Sequence, residues 1–145
     1  MRHAVSAALV ALVITVTAAQ SPSSPLSSYQ GKWQATFQGK PFFVLDLSLD
    51  SDKLSGTVTH TRDIHVNAKG ELDKVTEDMS EETITETKIA NGALRITAKN
   101  DTEDSNSYEM RLTGKNEGTI RVLMIDAPPD VPKVQPWKIT RITSK

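Results

Sequence analysis

The residues best suited to hold a metal are His60, Asp63 and His65, in the run His60-Thr61-Arg62-Asp63-Ile64-His65. Two imidazoles and a carboxylate form a donor set that zinc accepts when a turn gathers them. The spacing matches no zinc signature, and Arg62 places a positive charge among the donors. The expectation is therefore two solvated histidines in a polar turn, with no resident metal. Asp101, Glu103 and Asp104 offer oxygens of the kind calcium takes, but they lack the central glycine and closing glutamate of an EF-type loop. The acidic run Glu71–Glu82 reads as a solubilising surface. The chain has no cysteine, no G-x-S-x-G elbow and no glycine-rich phosphate loop, which removes the usual routes to nucleophilic catalysis and nucleotide binding. Acid–base catalysis needs one carboxyl in an apolar setting. Asp46 lies in an apolar strand, yet its parity sets it opposite Leu45 and Leu47. Neither enzymatic activity nor a cofactor is expected.

The elements that position these residues read as short strands. In Gly31–Gln38, Trp33, Ala35 and Phe37 alternate with polar residues. Phe43, Leu45, Leu47 and Leu49 continue the pattern after a turn, and Leu54, Gly56 and Val58 after another, as in an antiparallel meander with one apolar face. Thr61–Glu82 is predicted as an acidic loop with a short helical turn, because Leu72, Val75 and Met79 recur at helical spacing. Thr83–Ile89 and Leu94–Ala98 flank Asn91-Gly92, the pair that favours a two-residue type I′ turn. Tyr108, Met110 and Leu112 alternate in the next strand. Thr119–Ile125 is apolar on both faces, so a bulge or a covered outer face is expected. Asp126–Pro136 holds four of the seven prolines and is predicted as a stiff connection rather than a central strand. Trp137, Ile139 and Arg141 share one face of the last strand.

The amino terminus has a different character. Residues 1–19 carry one charge, Arg2, then an unbroken small and apolar run from Ala4 to Val16, then Thr17-Ala18-Ala19. These are the three regions of a cleavable secretory signal, and the apolar run is short for a membrane span. Residues 20–30, rich in serine and proline, are predicted as a flexible tether, and residues 31–145 as one domain. Loss of Arg2 leaves sixteen basic residues against eighteen acidic ones. That balance does not suit a nucleic-acid partner or attraction to anionic lipid. The expected product is a secreted or periplasmic protein with no stable membrane anchor and no disulfide. Its oligomeric state is left open by the two-faced strand. Asn100-Asp101-Thr102 fits the N-glycosylation pattern, which matters only in a eukaryotic host.

Eight or nine short strands without a long helix argue for an all-β, antiparallel up-and-down barrel, since closure removes exposed sheet edges. Gly31-x-Trp33 resembles the G-x-W that opens the first strand of lipocalin-like, or calycin, barrels. Arg141 resembles the arginine on their last strand. The resemblance implies a closed end built from Gly31, Trp33, Trp137 and Arg141, with the guanidinium lying on the Trp33 ring. A second likeness is to small secreted bacterial proteins of unknown function, through Leu54-Ser55-Gly56-Thr57-Val58, Ile89-Ala90-Asn91-Gly92-Ala93-Leu94, Tyr108–Gly114 and Trp137-Lys138-Ile139-Thr140-Arg141. The chain lacks the T-D-Y element and the cysteine pair of typical lipocalins. A barrel of this size is either filled by side chains or holds one small ligand. The functional expectation is an exported barrel that binds a small apolar or amphipathic ligand through Phe43, Leu45, Tyr108 and Met110 at the mouth opposite Trp33 and Arg141. The alternative is a filled barrel that acts as a protein-interaction or stress-protective module through its loops, with Pro128–Pro136 as the docking segment.

Overall fold

The computed structural model describes residues 25–124 and 128–143. The predicted signal, residues 1–19, lies outside the described residues, as does the first half of the tether. The strands are β1 (Gly31–Phe37), β2 (Lys40–Asp50), β3 (Lys53–Thr61), β4 (Ile64–Val66), β5 (Leu72–Val75), β6 (Met79–Ala90), β7 (Ala93–Lys99), β8 (Ser105–Leu112), β9 (Glu117–Leu123) and β10 (Trp137–Arg141). Eight of them close an antiparallel barrel in the order β1-β10-β9-β8-β7-β6-β3-β2, and β4 and β5 form a separate hairpin. Barrel neighbours follow one another along the chain, apart from the hairpin inserted between β3 and β6. The all-β, up-and-down expectation therefore holds, with eight strands in the barrel.

Alternation creates the core. Trp33, Leu45, Val58, Leu94, Ile96, Met110, Ile120 and Ile139 point inward, and none has surface that water can reach. Side chains thus fill the waist of the barrel. The outer face carries Lys32, Asp46, Arg95, Arg111 and Arg121, whereas a membrane-spanning barrel turns an apolar band outward. Asn91 and Gly92 have φ values of 53° and 72°, and Ala90 pairs with Ala93 across them. Both central residues thus adopt the positive φ that a type I′ turn requires.

Two stretches differ from expectation. Pro25–Tyr29 forms a turn of 3₁₀ helix, and Tyr29 is buried in the core, so this half of the predicted tether is part of the closed end. Thr61–Glu82 is neither loop nor helix. Its apolar residues at 64, 66, 72 and 75 sit on the β4–β5 hairpin, and its last residues begin β6. A polar turn made the hairpin hard to see. The Asn67 carboxamide oxygen accepts from the backbone N–H groups of Lys69 and Glu71, at 2.9 and 3.1 Å. Gly70 follows at a φ of 79°, and a Cβ there would lie 1.7 Å from the Lys133 carbonyl oxygen. That close approach fastens the proline-rich segment to the hairpin tip, where the Gln135 N–H donates to the Gly70 carbonyl at 2.9 Å.

Candidate functional site

The barrel has two unlike ends. At one, β1 meets β10 with Trp33 opposite Arg141. The Arg141 guanidinium carbon stands 4.2 Å from the Trp33 ring centroid. Nη1 donates to the Gln30 carbonyl, and Nη2 to the carbonyls of Ser28 at 2.8 Å and Lys115 at 3.3 Å. The Trp33 indole N–H donates to the Tyr29 carbonyl at 2.9 Å. Gly31 has a φ of 122°, and a Cβ on it would come within 2.6 Å of Arg141 Nη1. Glycine is therefore required where the guanidinium crosses the chain. Of the four residues expected at this end, Trp137 is the exception. It pairs with Ile120 at the start of β10, four residues before Arg141, and packs at the opposite end of the strand. There its ring lies edge-on to Phe42 at 5.0 Å and tilted against Phe43 at 5.8 Å.

That opposite end holds the principal polar feature of the interior. Glu82 points inward from β6, pairs with Val58 of β3, and is 1% exposed. Its Oε1 accepts from His60 Nε2 at 3.1 Å and from Asn106 Nδ2, and its Oε2 accepts from the Tyr108 hydroxyl at 2.8 Å. His60 Nδ1 lies 2.8 Å from the Thr61 carbonyl oxygen. Both ring nitrogens of His60 thus face acceptors, and only the doubly protonated imidazolium donates from both. The geometry describes an ion pair between a buried carboxylate and a partly buried imidazolium, with two further donors on the carboxylate.

The electrostatics agree with the geometry. The hydrogen bond to Glu82 raises the His60 pKa above its ordinary value, against a smaller lowering by burial. For Glu82, burial pushes the carboxyl up, but hydrogen bonds from His60, Tyr108 and Asn106 outweigh it and hold the pKa below the usual carboxylate value. Burial first, and then the Glu82 charge, push the Tyr108 hydroxyl well above 10.

The metal candidates do not come together. His60 is committed to Glu82. His65 lies on the exposed β4 and pairs with Lys74 of β5. The Asp63 backbone is held by Thr76. Among the described residues, no three histidine or carboxylate side chains are close enough to hold a metal ion. The Asp101–Asp104 loop is closed by Asn100, whose carboxamide oxygen accepts from the N–H groups of Thr102 and Asp104, each at 3.0 Å.

The residues expected to meet a ligand divide by depth. Leu45 and Met110 sit at the filled waist, with no reachable surface. Phe43 and Tyr108 lie nearer the mouth in edge-on contact at 5.4 Å and are also buried. Open volume is found at the rim instead. A cleft of about 520 Å³ runs between the barrel rim, the β4–β5 hairpin and the proline-rich segment. Ile64 and Val66 wall it on one side, Val131 and Val134 on another, and Val122, Leu123 and Trp137 form part of the rest. Leu123, the outward apolar residue of β9, is half-buried and faces this cleft, and Ile125, the other outward apolar residue expected in that stretch, lies outside the described residues. Asn106 lines the same cleft and connects it to the buried carboxylate. The Trp137 indole N–H is buried with no acceptor among the described residues. Sequence reasoning missed Glu82 as a site residue by reading it with the acidic surface run. Its place two residues before the inward Ile84 was the available signal.

The closed eight-stranded antiparallel barrel is consistent with a calycin-like fold. No protein-family model matches the chain, and no curated protein or solved structure gives a significant match.

Proposed function

We propose that this chain is an exported, lipocalin-like binding protein that takes a small apolar or amphipathic ligand, with its site at the rim cleft rather than in the barrel's waist. The supporting observation is the cleft itself: apolar side chains from three separate elements surround a volume suited to a small molecule, with a few polar groups at its wall. Asn106 is oriented by its bond to Glu82, which turns the carboxamide N–H inward and leaves the carboxamide oxygen for a ligand donor. The Trp137 N–H is the complementary unmet donor.

The test uses a neutral apolar dye, N-phenyl-1-naphthylamine, titrated by fluorescence. Saturable binding is expected. Val131→Asp and Val66→Asp each place a carboxylate in the cleft wall and should weaken binding about tenfold or more, equivalent to about 1.4 kcal/mol. Both positions are partly exposed, so the fold tolerates them. Ile142→Asp, at the other end of the barrel, should bind as wild type does. Absence of saturable binding, or wild-type affinity in both cleft variants, would overturn the reading.

The second reading is an interaction module, and it rests on the filled waist. In that case the proline-rich segment, already held by Gly70 and Gln135, would present its exposed side to a protein. A dye that fails to bind while the segment captures a partner would favour it.

A further inference from the structure

The outer face of β6–β10 carries a group of cations arranged around one buried carboxylate. Glu109 of β8 is only 4% exposed although it points away from the core. Arg121 Nη2 lies 2.9 Å and Arg111 Nη2 3.4 Å from its Oε1, and Arg95 Nε lies 3.7 Å from its Oε2. Three guanidiniums share a single carboxylate, so most of their charge is uncompensated. The strand register extends the group sideways. Lys88 pairs with Arg95, Arg95 with Glu109, and Glu109 with Arg121, in one row. In the adjacent row Arg111 pairs with Thr119, and Thr119 with Lys138. Glu117, which bridges Lys138 at 3.5 Å, and Glu86 are the nearby carboxylates. Five cations on five neighbouring strands thus span about 19 Å at the usual spacing of about 4.8 Å. The whole chain carries a net charge of −1, so this concentration is local.

From this arrangement we infer that the β6–β10 outer face binds an acidic polysaccharide, a linear chain bearing sulfate or carboxylate groups. Each guanidinium has five N–H donors in a planar fork and spends only some of them on Glu109. The side chains are half exposed, and the shared carboxylate holds them in place, so they meet an oxyanion with less ordering cost than free arginines do. A cleft of about 220 Å³ lined by Glu109, Arg111, Thr119, Arg121 and Pro136 seats one such group against the guanidiniums, the Glu109 carboxylate being covered by its three arginines, and the remaining cations engage the next groups along the polymer. The convex face cannot enclose a small anion, so affinity comes from multivalency. Between the cations stand the hydroxyls of Thr97, Ser107 and Thr119, without an aromatic side chain. Protein interfaces draw most of their energy from aromatic and buried anchors, and single-stranded nucleic acid from base stacking on aromatics. Hydroxyls and guanidiniums suit a hydrated, sulfated sugar.

The experiment is calorimetric titration of the intact protein with size-fractionated dextran sulfate, at about 50 mM and about 500 mM salt. Binding is expected at the lower salt and at least a tenfold loss at the higher. The double variant Lys88→Gln/Lys138→Gln leaves the Glu109 network untouched. It should weaken binding about tenfold and flatten the salt dependence, while the Lys40→Gln/Lys53→Gln pair on the far side changes neither. Arg95→Gln should weaken binding further at an unchanged melting profile. The inference fails if dextran sulfate does not bind at low salt, or if the far-side pair loses as much as the Lys88/Lys138 pair. It also fails if polyglutamate or duplex DNA binds more tightly than dextran sulfate.

Discussion

Trp33→Ala should destabilise the barrel by about 4 kcal/mol and Arg141→Ala by about 2 kcal/mol, with the double variant losing about 1 kcal/mol less than the sum. The first figure is that of a large, fully buried aromatic cut to a methyl group. Trp33 has no reachable surface, and its removal also orphans the Tyr29 carbonyl that its indole N–H satisfies. The second combines the loss of three backbone carbonyls from one guanidinium with the loss of a cation–π contact worth about 1–2 kcal/mol when partly desolvated. The shortfall from additivity reports that contact, since either substitution alone abolishes it. Urea unfolding at neutral pH measures all four corners of the cycle. Additivity to within about 0.4 kcal/mol would mean that the ring and guanidinium do not interact energetically, whatever their 4.2 Å separation. Arg141→Lys should behave more like alanine than arginine, because one ammonium cannot reach carbonyls at Ser28, Gln30 and Lys115 together.

The closed end was legible through the resemblance to calycin barrels, with which the local signals agree. Gly31-x-Trp33 opens an alternating strand, and the parity of Arg141 directs it inward. The Asn91-Gly92 hairpin was legible from a local signal alone: the turn needs two positive φ values, and its two residues favour them. The far end of the barrel was harder to read. Apolar alternation locates core positions by hydrophobicity, so an inward glutamate is indistinguishable from the acidic surface around it until the register is known. The partners of Glu82 stand 22, 24 and 26 residues away along the chain. They meet it only because β6 pairs with β3 on one side while β7 and β8 bring Asn106 and Tyr108 round on the other. His60 drew attention as a possible metal ligand and Tyr108 as an inward aromatic, but the acceptor joining them was hidden. Trp137 was misplaced by a related limit. Parity gives the face of a strand and not the height along it, and β10 enters the barrel at the end where Arg141 does not lie. The β4–β5 hairpin escaped because its strands are three and four residues long, too short for a period to show, and its turn depends on one asparagine side chain.

Glu82→Ala should cost about 3–5 kcal/mol and alter the pH dependence of stability as well as its level. The substitution leaves the partly buried His60 ring without its carboxylate partner and two more donors, Asn106 and Tyr108, without an acceptor. Each buried group left unpaired carries about 1–3 kcal/mol of desolvation. The pH argument follows from the two directions of shift. His60 binds its proton more tightly folded than unfolded, so its contribution is fully present below its unfolded value of about 6.5 and is lost as pH rises through the higher folded value. Glu82 releases its proton more readily when folded, so its contribution is fully present above its unfolded value of about 4.5 and is lost as pH falls through the lower folded value. The two contributions overlap between about pH 4.5 and 6.5, where the melting temperature should be highest, with a decline on the alkaline side as His60 deprotonates. Glu82→Gln keeps the side-chain volume and removes the carboxylate whose hydrogen bond and charge raise the His60 pKa, so its alkaline decline should shrink. Melting curves of wild type and Glu82→Gln from about pH 5 to 9 distinguish the outcomes. An equal alkaline decline in both would remove the His60–Glu82 pair as its source. Wild-type stability in Glu82→Ala would show that the carboxylate is not the acceptor these three side chains depend on.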